Sequence, residues 1–168
     1  MLVPQSPHKR VRRRQSGDIL LTMKIYLDTC SLQRPLDSKN QIRIILEAEA
    51  VLGILALCES GKIELVSSEV LLFEIDRNPN MTRQEYALEV LSKAKTFVVL
   101  NEQMEKRARE FDALGIKPLD ALHLASAEEA QADYFCTCDD KFLKRAKAVS
   151  GLKTRVVSPI ELIEELEQ

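Results

Sequence analysis

Four carboxylates stand out by their neighbours. Asp28 closes the run Lys24-Ile25-Tyr26-Leu27-Asp28 and is followed by Thr29, Cys30 and Ser31. Glu74 lies in the apolar run Val70-Leu71-Leu72-Phe73-Glu74-Ile75. Asp120 falls in Pro118-Leu119-Asp120-Ala121-Leu122-His123, and Asp139 follows Thr137 and Cys138. Each has an ordinary explanation. Asp28 can be a turn residue, Asp120 suits the positive end of a helix dipole, and Asp139 is a fitting N-cap. Glu74 is harder to dismiss. On a helix that is apolar nearly all round it should be covered, and a covered carboxylate needs a cation or several donors. Leu119, Ala121, Leu122, Leu124 and Ala125 crowd Asp120 in the same way.

Joined at one place, these carboxylates would repel one another unless cations neutralised them. Oxygen-only ligation selects a hard ion, so Mg²⁺ or Mn²⁺ is expected rather than zinc. Such a site can hold a phosphate, polarise it and activate a water for attack.

The elements that must position the acids alternate in type. Short β-rich runs cover Lys24 to Asp28, Ile63 to Ser67, Thr96 to Leu100, Tyr134 to Thr137 and Arg155 to Val157. Helical spacing or helix stops mark Asn40 to Gly61, Glu69 to Asp76, Thr82 to Lys95, Glu102 to Leu114, a helix opened by Pro118, a short basic one from Asp139 to Lys147, and one opened by Pro159. Thr82 and Glu85 stand in capping-box spacing. Strands separated by helices predict βαβ units: a three-layer α/β/α sandwich around a mostly parallel sheet. Ligands of such sheets collect beyond the carboxyl ends of the strands, and all four acids stand at or just after such ends.

The chain has 168 residues, enough for one domain, with 45% hydrophobic and 30% charged residues and a net charge of −2. That balance weakly disfavours a nucleic-acid partner but does not exclude one, because basic residues around an acidic site can still meet phosphates. No apolar run approaches the roughly 20 residues that span a membrane. Cys30, Cys58, Cys136 and Cys138 form no C-x-x-C pair, and no His cluster accompanies them. Without a secretory signal they read as reduced thiols packed as small hydrophobes in a cytoplasmic protein. Residues 1–22 carry Arg10, Arg12, Arg13 and Arg14 among Pro, Gln, Ser and Gly. They read as a basic extension upstream of a domain over 23–168.

The ordered set Leu27-Asp28-Thr29, Ser68 with Glu74 six residues on, Leu119-Asp120-Ala121-Leu122-His123-Leu124-Ala125-Ser126-Ala127, and Thr137-x-Asp139-x-x-Phe142 resembles the PIN domain. In particular it resembles the single-domain ribonuclease toxins of VapBC-type toxin–antitoxin modules. The resemblance runs from about Met23 to the C-terminus. It implies helices on both sides of a parallel sheet and metal-dependent hydrolysis of RNA phosphodiesters. By position, Asp28, Glu74 and Asp120 correspond to the three main metal-site acids. Asp139 corresponds to the fourth, with Thr137 as a nearby hydroxyl. A homodimer is implied and, for toxins, a small antitoxin that blocks the site. Cys30 stands where Asn or Ser is common in the family.

Other residues have weaker claims. Glu69 lies five residues before Glu74, about 140° round a helix, so the two do not share a target. Asp140 adjoins Asp139 and could take its place. His123, one helical turn beyond Asp120, reads as a satisfied helix histidine rather than a phosphate contact. Arg34, Arg43, Lys117, Lys141, Lys144 and Arg145 could line an RNA path or merely solvate a face. Two other functions fit the residues less well. A PIN-like module that binds without cutting would have little reason to keep covered carboxylates together. A phosphohydrolase of the haloacid-dehalogenase kind would need an Asp two residues after Asp28, where Cys30 stands.

Overall fold

The computed structural model describes residues 22–168. Of the basic stretch expected over residues 1–22, only Thr22 falls within the described residues. Strand β1 (Met23–Leu27) is followed by α1 (Thr29–Gln33), a 3-10 turn (Arg34–Leu36) and the long α2 (Ile42–Glu59). Then come β2 (Ile63–Ser68), α3 (Glu69–Asp76), α4 (Met81–Ser92), β3 (Thr96–Val98), α5 (Glu102–Ala113) and α6 (Pro118–Glu129). The chain ends with β4 (Tyr134–Cys136), α7 (Asp140–Lys147), β5 (Arg155–Val157) and α8 (Pro159–Leu166).

The strands form one five-stranded sheet in the order β3-β2-β1-β4-β5, every pair parallel. Helices cover both faces, as the alternating pattern implies. β1 shows this directly: Ile25, Tyr26 and Leu27 are consecutive and all fully buried, which a strand with one wet face would not allow. Phe135 of β4 stacks on Tyr26 with ring centroids 5.1 Å apart, joining the two central strands through the core. The chain runs outward from β1 through β2 to β3, then crosses back to add β4 and β5 on the other side. The strand order therefore reverses between β1 and β4, and in open α/β sheets that reversal opens a crevice beyond the carboxyl ends.

Several local expectations are corrected. α1 and the 3-10 turn are additional elements. They are too short to show a helical period, and the turn forms where Pro35 supplies a fixed φ. α4 is capped by Asn80, whose side chain accepts from the Arg83 amide at 3.1 Å, and not by a box between Thr82 and Glu85. β3 stops at Val98 because Asn101 caps the next helix, accepting from Met104 at 2.9 Å. Asp28 and Asp139 lie just outside their strand and helix, as N-caps of α1 and α7. The cysteines are free thiols. Among the described residues no helix is long and apolar enough to cross a membrane.

Candidate active site at the carboxyl end of the sheet

β1 delivers Asp28 to the crevice. Its backbone N–H still bonds Cys136 O at 3.2 Å, as if the strand continued, while its side chain turns to cap α1. Oδ1 accepts from the Ser31 amide and from the Cys30 thiol, both at 3.0 Å. Cys30 thus supplies the neighbouring contact that an Asn or Ser could make. Asp28 is only 7% exposed. Burial raises its pKa above the ordinary carboxylate value, and Thr137, Cys30 and the Ser31 amide offset part of that rise.

Asp120 sits at the third position of α6, whose first residue is Pro118. It is half-buried, and its pKa is pushed up to about 6. Burial is the main cause, followed by the charges of Asp28 and Asp139, with a smaller push from Glu74; His123 opposes them. Asp120 therefore feels all three of the other carboxylates singled out by sequence.

Glu74 lies on α3, which Ser68 caps by accepting from the Leu71 amide at 3.1 Å. Its side chain is 28% exposed, so it is less covered than its apolar neighbours imply. Phe73 beside it is half out in solvent, which makes the helix one-sided. Burial pushes the Glu74 pKa up, but the hydrogen bond of His123 outweighs it and the pKa ends below the ordinary value. His123 Nε2 lies 3.1 Å from Glu74 Oε2, and its Nδ1 lies 2.6 Å from the Tyr26 hydroxyl. The histidine is satisfied, as its place on a helix predicts. Its partners come from β1 and α3, and nothing in the local sequence announces them.

Asp139 is exposed and performs the ordinary cap role, accepting from the amides of Lys141 at 3.0 Å and Phe142 at 3.1 Å. It also presses on Asp120 electrostatically. The adjacent Asp140 is engaged elsewhere by Arg43 of α2. Thr137 is fully buried and accepts from the Asp139 amide at 3.1 Å. Glu69 points away from the crevice, its carboxylate accepting from the Leu100 amide at 2.7 Å.

Of the basic residues proposed for an RNA path, three are tied down. Arg34 pairs with Asp37 at 2.8 Å, Arg43 with Glu47 at 2.7 Å, and Arg145 donates to Gly115 O at 2.9 Å. Lys117, Lys141 and Lys144 are exposed.

Among the described residues, no three His, Cys, Asp or Glu side chains sit close enough, as placed, to share one ion. The donor chemistry nevertheless fits a hard divalent cation. The acids offer only oxygen, the other three raise the proton affinity of Asp120, and the Thr29 hydroxyl beside Asp28 is buried without a hydrogen-bond partner. A hydrated cation suits such a loosely gathered set, since Mg²⁺ keeps several of its waters.

Comparisons with known proteins agree with this architecture. The family model described as PIN domain matches residues 25–148. A crystal structure of VapBC2 from Rickettsia felis bound to a DNA fragment from their promoter superposes with a TM-score of 0.53 at 12% identity, covering 81% of this chain and 98% of that one. VapC20 of Mycobacterium tuberculosis, described as a sarcin-ricin loop cleaving toxin, superposes with a TM-score of 0.51 at 18% identity, covering 78% and 98%. At those identities both show the fold alone. No curated protein sequence matches the chain.

Proposed function

The chain belongs to the PIN domain family, and from that premise we propose that it is a metal-dependent endoribonuclease acting as the toxin of a toxin–antitoxin pair. The observation that carries the nuclease reading is the raised pKa of Asp120, caused by burial and then by carboxylates brought from three other elements to the switch point of the sheet. A binding module gains nothing from that repulsion; a site that neutralises it with a cation does. The toxin role and an antitoxin partner draw on the superposition with VapBC2 and with VapC20, the latter described as a toxin. We also propose a PIN domain over 23–168, of which the family match covers 25–148, with 1–22 as a basic extension, in a cytoplasmic homodimer.

Asp28, Glu74, Asp120 and Asp139 would hold Mg²⁺ or Mn²⁺. Bound there, the ion supplies charge to the phosphodiester and acidity to a water. The chain's own residues do the rest. Asp28, fixed by the Ser31 amide, and Glu74, fixed by His123, present oxygens whose positions do not need reorganising. Asp120, with a pKa near 6, is mostly ionised at neutral pH and is the acid best placed to take a proton from attacking water. Lys117, Lys141 and Lys144 offer exposed charge to the flanking phosphates.

Water attack at phosphorus breaks one P–O ester bond and puts one solvent oxygen on the phosphate. Digestion of a short RNA in ¹⁸O-water should give a linear phosphomonoester carrying one heavy oxygen. A 2′,3′-cyclic phosphate without label would mean that the RNA's own hydroxyl attacks, and would overturn hydrolysis by water at this site. A module that binds RNA or a protein without cutting is the second reading, favoured by the spacing of the acids, which do not close on one point. It predicts no product at all.

A further inference from the structure

We propose that His123 is a positioning residue for Glu74, locked in one ring tautomer by a buried donor chain running from Ser68 through Tyr26 and His123 to the Glu74 carboxylate. Its purpose rests on the nuclease reading; its geometry does not.

The direction of the chain follows from its first member. Ser68 Oγ already accepts from the Leu71 amide as the cap of α3, so its own hydrogen is available to Tyr26 Oη, 2.8 Å away. Tyr26 then gives its hydrogen to Nδ1 of His123 at 2.6 Å. With Nδ1 accepting, the ring hydrogen sits on Nε2 and is donated to Glu74 Oε2 at 3.1 Å. The reverse order would set a bare nitrogen lone pair against a carboxylate.

Nothing in the chain can swing aside. Ser68 and Tyr26 are fully buried and His123 is 2% exposed. Tyr26 is stacked on Phe135 and meets His123 edge-on at 5.8 Å. Burial also holds the phenol firmly in its protonated, donating form. The chain thus spans β2, β1, α6 and α3, and it ends on the one acid of the cluster that is not fixed by a cap or by its place at the start of α6. His123 lies one turn beyond Asp120 on the same helix, so fixing Glu74 to it also fixes the spacing of two acids. Partners of this kind that orient a ligand commonly matter ten- to a hundred-fold in metal affinity.

The chain contains only two histidines, so ¹⁵N-histidine NMR reads the ring directly, and His123→Gln identifies its signals. Metal-free wild type should show the Nε2–H tautomer at His123 with a hydrogen-bonded Nδ1, and Tyr26→Phe should keep that tautomer but move Nδ1 to its unbonded shift. Mn²⁺ affinity should fall about tenfold in Tyr26→Phe and ten- to a hundred-fold in His123→Leu. His123→Gln, whose amide can reach Glu74, should recover most of it. An Nδ1–H tautomer in wild type would overturn the proposal. So would unchanged Mn²⁺ affinity in Tyr26→Phe, even alongside a lower Tm in EDTA, since that is what a merely structural role predicts. If His123→Leu does not fold, the tautomer and Tyr26→Phe decide. A wild type that shows the Nε2–H tautomer and an Nδ1 shift that moves in Tyr26→Phe, yet binds no Mn²⁺, would support the donor chain and sink the nuclease reading.

Discussion

Arg43 grips Asp140 with both terminal nitrogens of its guanidinium, Nη2 lying 2.8 Å from Oδ1, and the same nitrogen reaches Cys138 O at 3.1 Å. The pair joins the first turn of α2 to the start of α7 across 97 residues of chain. Asp140 is spent on α2, and Asp139 is the one whose charge reaches Asp120.

Asp139→Asn should therefore lower RNA cleavage at least tenfold, while Asp140→Asn should change it less than threefold. Stability separates the two in the opposite sense. Asn caps a helix about as well as Asp, whereas Asp140→Asn breaks an exposed bidentate pair, a loss below about 1 kcal/mol. Turnover and urea midpoints of both variants check this; equal activity losses would contradict it.

The raised pKa of Asp120 makes metal-free stability depend on pH with a definite sign. Its folded value, about 6, lies above the ordinary carboxylate value of 3.8. Between those values the native state binds more protons than the unfolded state, so stability falls as pH rises through this window. Above about pH 6 the ionised native carboxylate carries the full cost. The group is part exposed, so that cost is about 1–2 kcal/mol after screening. In EDTA, Asp120→Asn should be more stable than wild type at pH 8 by that amount, and the gap should close by pH 4. Thermal melts across the range test it; a gap that widens on acidification would refute the assignment.

Metal should reverse this penalty. A cation that binds only the native state at 100 times its Kd stabilises by about 2.7 kcal/mol. Mg²⁺ or Mn²⁺ should raise the Tm of wild type at pH 8 and leave Asp120→Asn nearly unmoved. The effect should fade below pH 6, where protons compete for Asp120 and for the likewise raised Asp28.

Thr29 offers a subtler check. Its hydroxyl is buried and unpartnered, so replacing it by an isosteric methyl removes an uncompensated desolvation cost. Thr29→Val should keep or slightly raise stability in EDTA while weakening Mn²⁺ binding severalfold. A loss of more than about 1 kcal/mol would show that the hydroxyl has a structural bond.

The sequence carried the architecture well because its signals are local. Consecutive apolar residues in β1 announce a strand covered on both faces, and Pro118 and Pro159 mark helix starts that the structure reproduces. Glu69–Asp76 forms as read. What escaped was either too short or too distant. α1 has five residues, fewer than two helical turns, so no period exists to read. The tie between Glu74 and His123 spans 49 residues and that between Tyr26 and His123 spans 97, and only the folded sheet brings them together. The four acids stand out in the sequence by their neighbours, and in the fold the charges of Asp28, Asp139 and Glu74 reach Asp120. Their spacing, and the tie of Asp140 to Arg43 of α2, were out of reach because they join residues far apart in the chain.

The most direct test is cleavage of a mixed RNA pool by purified wild type with Mg²⁺, Mn²⁺ or EDTA, beside Asp120→Asn, which keeps the shape of the side chain and removes its charge. The account predicts cutting with either metal, none in EDTA, and at least a hundredfold loss in the variant. Cutting that persists in EDTA, or at the wild-type rate in Asp120→Asn, would contradict a metal site built on these four carboxylates.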